Sequence, residues 1–147
     1  MATFVWLDDV NGRSHTECCL LAQARDWAKF GQMLLNKGVV NGRQIVPATW
    51  IEQMITPSPV SPYYGLHIWL GYEETPNPRP GAGGYIRTEP FLAKDTYYAS
   101  GYGAQRIYIV PSHELVIVRM GPFAGPKPLK DGWDNSYLVN TLIRGLL

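Results

Sequence analysis

Apolar and small residues recur at Ala24, Trp27, Ala28, Gly31, Leu34 and Leu35, the i, i+3, i+4, i+7 spacing of one buried helical face. That spacing predicts a helix over residues 23–37. Asp26 in its first turn suits the helix dipole, and Lys37-Gly38 supplies the stop. A second helix is expected over 47–55, opened by Pro47, a residue suited to a first helical turn. Asn41-Gly42 between the two marks a tight turn and allows a small hairpin over 39–46. The lead-in, 1–20, reads as extended chain with a turn at Asn11-Gly12.

After a proline-rich loop at 56–62 the period changes to two. Over 64–72, Leu66, Ile68 and Leu70 alternate with Gly65, His67, Trp69 and Gly71, which predicts a strand. Residues 73–95 are rich in proline and glycine and read as a long surface excursion. The stretch 105–110 carries Ile107 and Ile109 on one face, Pro111-Ser112-His113-Glu114 turns the chain, and 115–120 returns. This is an antiparallel hairpin whose near-continuous apolar return strand implies burial on both faces. Trp133, Tyr137, Leu138, Leu142 and Leu146 predict an amphipathic terminal helix over 132–147, with Asp131 as its cap. Helices first, then an antiparallel sheet, then a closing helix over one sheet face: the expected class is α+β, an antiparallel sheet flanked by helices.

Composition narrows the function. The 147 residues fit one domain, and 46% apolar with 17% charged residues describe a folded chain. A net charge of +1 with no Lys/Arg run argues against nucleic acid and anionic membrane surfaces as partners. No window approaches the apolar length of a membrane span, and residues 1–9 lack the features of a secretory signal, which leaves the compartment open. Cys18 and Cys19 are adjacent, an unusual spacing for a disulfide, and read as two small, partly buried thiols. With His15, His67 and His113 scattered and no C-x-x-C, neither a metal nor another cofactor is implied.

Among hydrolytic motifs, G-x-S-x-G is missing, since Tyr98-Ala99-Ser100-Gly101-Tyr102 fails at its first glycine. No serine has a lysine three residues on. A Ser–His–Asp arrangement stays open on composition alone, and no paired carboxylates, P-loop or dinucleotide fingerprint are present. One glycine cluster remains, Ser100-Gly101-Tyr102-Gly103. Glycine there serves either a ligand lying close against the backbone or a tight bend in the sheet.

Taken in order, these segments resemble a known family. Ala22-Gln23-Ala24-Arg25-Asp26-Trp27-Ala28-Lys29-Phe30-Gly31 through Asn36-Lys37-Gly38 is similar to the "T-x-R-D-L-A-R-F-G-x-L-L-L-N-x-G" helix of β-lactamase-related serine hydrolases. That family includes class C β-lactamases, D-alanyl-D-alanine peptidases, family VIII esterases and 6-aminohexanoate-dimer hydrolases. Asn41-Gly42-Arg43-Gln44-Ile45-Val46-Pro47 resembles the segment that follows this helix. The stretch from Tyr98-Ala99-Ser100-Gly101-Tyr102-Gly103-Ala104-Gln105 through Val110-Pro111 to Leu115-Val116-Ile117-Val118 resembles the family's "G-x-G-G-Q" hairpin. The resemblance runs over most of residues 8–146.

It implies that residues 1–147 are the C-terminal α/β portion of the β-lactamase/transpeptidase-like fold, with the Ser-x-x-Lys and Tyr-x-Asn of the N-terminal part absent. Ala99-Ser100-Gly101 aligns with the family's Lys-Thr-Gly. The resemblance therefore implies the Tyr102 backbone N–H as one oxyanion donor, with Ser100, Gly101 and Gly103 forming the wall along which substrate lies. Ala99 replaces the Lys or His that helps hold a substrate carboxylate, which favours a neutral small-molecule ester or amide. The expected function is half of a serine hydrolase site working through an acyl-enzyme. The alternatives are a non-catalytic binding or interaction module, an inactive fragment needing a partner chain, or a hydrolase using Ser100 itself. A fragment of this kind would expose a sheet edge and an apolar surface, hence self-association or dependence on the missing N-terminal half.

Overall fold

A computed structural model describes residues 5–15, 18–71, 85–86, 89–121 and 133–146; for Trp6, Tyr85, Ile86, Tyr102 and Trp133 it describes the backbone only. Most of the expected excursion over 73–95, and Asp131, lie outside these residues. The elements in chain order are β1 (Val5–Trp6), β2 (Leu20–Leu21), α1 (Ala24–Leu35), β3 (Val39–Val40), β4 (Arg43–Gln44), α2 (Ala48–Met54), β5 (Trp69–Leu70) and β6 (Tyr85–Ile86). They continue with β7 (Tyr97–Gly101), β8 (Gln105–Val110), β9 (Leu115–Arg119), β10 (Trp133–Asp134) and α3 (Tyr137–Leu146). The class is α+β.

The centre is an antiparallel sheet in the order β5-β7-β8-β9. Strict alternation along β8 builds two cores. Ile107 and Ile109 join Leu34, Ile51, Ile68, Leu70 and Tyr97 on the face covered by α1 and α2. Tyr108 and Val110 join Phe91, Tyr98, Ile117, Val139 and Ile143 on the face covered by α3. Burial on both faces explains why β8 and β9 read as apolar runs rather than as one-sided strands.

Helix α1 forms where its periodicity places it, and Gly31 lets it sit close to the sheet. A Cβ at Gly31 would stand 2.5 Å from Val116 Cγ1 and 3.0 Å from Ile107 Cγ2. The helix ends with paired bonds from Lys37 N to Leu34 O (3.0 Å) and Gly38 N to Met33 O (2.8 Å), with left-handed backbone at Lys37. Pro47 precedes α2, and β3 pairs with β4 around left-handed Asn41 and Gly42, as the hairpin signal anticipates.

Three expectations are corrected. The stretch 64–72 is not one strand: Gly65 N bonds Ile68 O at 2.9 Å, His67 is left-handed at φ 58°, and the chain folds back so that Tyr64 bridges to Trp69. Gly65 passes so close to the end of α2 that a Cβ there would stand 2.0 Å from Met54 O, a packing constraint that alternation does not register. The terminal helix begins at Tyr137 because Trp133 and Asp134 pair in parallel with β6, and the cap is Asp134, whose Oδ1 accepts from the N–H groups of Ser136 and Tyr137, both at 3.0 Å. Finally, Cys18 and Cys19 are joined to each other by a disulfide rather than standing as thiols. Left-handed backbone at Cys19 accompanies this closure.

Candidate functional site

The Ser100-Gly101-Tyr102-Gly103 segment spans the end of β7 and the turn into β8. Strand β7 pairs with β8 along its whole length, from Tyr97↔Ile109 to Gly101↔Gln105. On its other side β5 pairs only with Tyr97 and Tyr98. Ala99, Ser100 and Gly101 thus carry β7 beyond the two-residue ladder of β5, and a tight turn at Tyr102–Ala104 returns the chain.

The two glycines have different reasons. Gly103 adopts φ 76° and ψ 21°, left-handed backbone that favours glycine, so the bend accounts for it. Gly101 is ordinary extended backbone, φ −112° and ψ 167°. Among the described residues a Cβ there would meet Gln105 Cβ at 3.6 Å and Gln105 O at 3.9 Å, normal van der Waals contact. Neither conformation nor packing among the described residues calls for glycine at 101.

Behind this turn lie groups that sequence reading passed over. Arg106 is 1% exposed. Its Nη1 donates to Gln105 O at 2.8 Å and to Gly101 O at 3.4 Å, and its Nε donates to Asn135 Oδ1 at 3.0 Å. The same Asn135 oxygen accepts from the Tyr108 hydroxyl at 3.1 Å. Arg119 Nη1 donates to Gly103 O at 2.7 Å and Gly121 O at 2.9 Å. A signal for the pair existed: each arginine interrupts an apolar strand, and register places them on one face.

The entry to α3 fastens the other end of this polar layer. Ser136 Oγ donates to Glu89 O at 2.6 Å, and Asn140 bridges Pro90 O (2.8 Å) and Leu92 N (2.9 Å). Glu89 and Arg144 form a two-bonded pair at 2.9 and 2.6 Å. The Arg144 guanidinium holds the Glu89 carboxyl below its usual range, and the carboxylate in turn raises Arg144.

At His113 a serine, a histidine and a carboxylate meet, but not in the familiar order of a hydrolytic triad. Ser112 Oγ lies 2.9 Å from His113 Nδ1 and donates to Asp95 Oδ1 at 2.8 Å, while Ser112 N donates to Asp95 Oδ2 at 2.6 Å. The serine, not the histidine, is the middle member, and the carboxylate caps the Pro111–His113 turn. Asp95 and burial together push the Tyr97 phenol up to about 12, burial being the larger cause. Among the described residues no three His, Cys, Asp or Glu side chains gather as a metal site, and no helix is long and apolar enough to cross a membrane.

No family model matches the sequence. An uncharacterized protein of Alkalihalophilus pseudofirmus is 30% identical over 114 residues, which are 74% of this chain and 32% of that protein. The chain therefore spans about a third of the length of this curated relative. A solved structure from Bacillus anthracis assigned as a 6-aminohexanoate-dimer hydrolase superposes with TM-score 0.64 at 23% identity, covering 97% of this chain and 32% of that one. Another from Bacteroides dorei, assigned as a β-lactamase, gives TM-score 0.51 at 15% identity over 86% of this chain and 40% of its own. At these identities the likeness is one of fold: the α+β arrangement described here is the β-lactamase-like fold over roughly a third of such a protein.

Proposed function

We propose that residues 1–147 are the C-terminal, sheet-bearing portion of a β-lactamase-related serine hydrolase that works through an acyl-enzyme, and that they supply the oxyanion and substrate wall without the nucleophile. A serine from the remaining part of the fold attacks the carbonyl carbon of an ester or amide. The carbonyl oxygen then gains negative charge, and the Tyr102 N–H, beyond the end of β5, donates to it. A fixed backbone donor of this kind is worth about 10²–10³ in rate.

The observation that carries this reading is Gly101. Among the described residues neither conformation nor packing explains a glycine here, and it lies where β7 outruns β5, so clearance for a substrate accounts for it. Ser100 and Gly103 flank it on the same run. Ala99 packs partly into the α1-side core and brings no cation, which favours a neutral substrate. The fold neighbours, assigned as a 6-aminohexanoate-dimer hydrolase and a β-lactamase, support hydrolysis as the chemistry.

The test has two steps. The reading frame directly upstream of Met1 should encode a Ser-x-x-Lys followed by a Tyr-x-Asn. In the product of that whole frame, Tyr102→Pro removes the donor, and proline suits this place because Gly101 is already extended and Tyr102 opens a helical turn. Tyr102→Ala keeps the N–H and sets the baseline. A Tyr102→Pro rate about 10²–10³ below that baseline supports the donor; equal rates contradict it.

Dependence on a partner chain has its own support. Tyr137 (62% exposed), Leu142 (40%) and Leu146 (64%) lie open on α3, and β9 ends the sheet order. The isolated chain is expected to self-associate and to bind a hydrophobic dye. A monodisperse monomer that leaves the dye dark counts against a missing half.

A further inference from the structure

Arg106 on β8 and Arg119 on β9 stand directly opposite each other, on the face covered by α3. Like charges in that relation repel, and Arg106 is buried, so the pair persists only where both guanidinium groups gain good acceptors. What they gain is the turn. Arg106 holds the carbonyls of Gly101 and Gln105, and Arg119 holds that of Gly103, with Gly121 O as its second anchor. Two cations thus take up the carbonyls of residues 101, 103 and 105.

A trans peptide is planar, with its C=O and N–H pointing in opposite directions, and no described peptide bond is cis. The Gly101 carbonyl shares a peptide with the Tyr102 N–H, and the Gly103 carbonyl shares one with the Ala104 N–H. Turning each carbonyl toward an arginine therefore turns the partner N–H away from it. A cation on the oxygen also polarises the peptide and strengthens its N–H as a donor.

We propose that Arg106 and Arg119 are positioning residues: by gripping the turn's carbonyls they set its peptide planes and aim the Tyr102 N–H at the substrate. This rests on the reading of Tyr102 as an oxyanion donor. Both arginines act through the backbone. The fork matters as well as the charge at Arg106, where Nη1 meets the two carbonyls while Nε, in a second fixed direction, holds Asn135, a pairing a lysine ammonium does not reproduce.

The experiment uses Arg119→Met, at a half-buried position, and Arg106→Lys, which keeps the buried charge. In the product of the whole reading frame, each should lower kcat by about tenfold to 10²-fold with KM little changed, as expected when a reacting group is misaimed rather than lost. In the same product, nuclear magnetic resonance should show the Tyr102 and Ala104 amide signals moving more than those of β8. Folded variants with unchanged kcat and unmoved amide signals would overturn the proposal. Should Tyr102→Pro match Tyr102→Ala, the oxyanion reading falls by itself, and the amide signals alone then decide the clamp: movement supports it and stillness overturns it.

Discussion

The two faces of the central sheet are built from the same strands and do different work. Toward α1 and α2 the contacts are apolar, with Leu34, Ile51, Ile68, Leu70, Ile107 and Ile109 meeting across a close helix–sheet approach at Gly31. Toward α3 an apolar patch around Tyr108, Val110 and Val139 shares the face with buried polar groups, Arg106 and Asn135 behind the turn and Ser136 and Asn140 at the entry to α3. Burying apolar side chains stabilises without specifying direction, whereas buried hydrogen-bonding groups fix particular atoms in place and are costly when left unmatched. The first face holds the sheet together. The second aims one turn of it.

The difference predicts which variants cost stability and which cost function. Leu34→Ala should have the largest effect on stability, about 2–5 kcal/mol, because it empties a buried site under α1. Any hydrolysis rate per folded molecule of the whole reading frame's product should stay as it was, checked by denaturant unfolding beside a titrated assay. Asn135→Ala should cost about 1–3 kcal/mol, since Arg106 Nε and the Tyr108 hydroxyl lose a shared acceptor. Unlike Leu34→Ala, it should also disturb the Tyr102 amide signal. Gly31→Ala should cost about 1–3 kcal/mol by pressing α1 off Val116 and Ile107, with no effect at Tyr102; a stability equal to the parent would refute that close approach.

The smallest effect separates the faces by pH. Tyr97 lies in the α1-side core with its phenol pushed up to about 12. A pKa raised by folding means that the neutral form is favoured in the native state. Its contribution to stability is therefore whole below the ordinary tyrosine value of about 10 and is lost as pH climbs through about 12. Tyrosinate absorbance should trace that loss over this alkaline window, and Tyr97→Phe should flatten it. A parent and variant that lose stability in parallel would discount the effect.

The sequence disclosed the α1 face more fully than the α3 face, for physical reasons. Helix α1, the 41–42 hairpin and the β8–β9 pair are set by local periodicity and turn chemistry, which a linear reading captures. The fold-back at Gly65–Ile68 depends on contact with the end of α2, ten or so residues earlier, and alternation alone mimics a longer strand there. The start of α3 depends on β10 pairing with β6 across a long separation, so helical spacing overran it. The glycine cluster was legible as a place where backbone matters, but sequence could not divide its roles. Only dihedral angles separate Gly103, favoured by a left-handed turn, from Gly101, which nothing among the described residues calls for. The arginines were hidden by their position in apolar strands, where a charge acquires meaning only once the cross-strand register places it behind the turn.

If residues 1–147 carry half of a hydrolytic site, turnover of p-nitrophenyl butyrate depends on the other half being present. The 147-residue chain alone should give none, while the product of the complete reading frame should hydrolyse the ester through its upstream serine. Hydrolysis by the isolated chain that disappears in Ser100→Ala would instead place the nucleophile on β7 itself and refute the half-site.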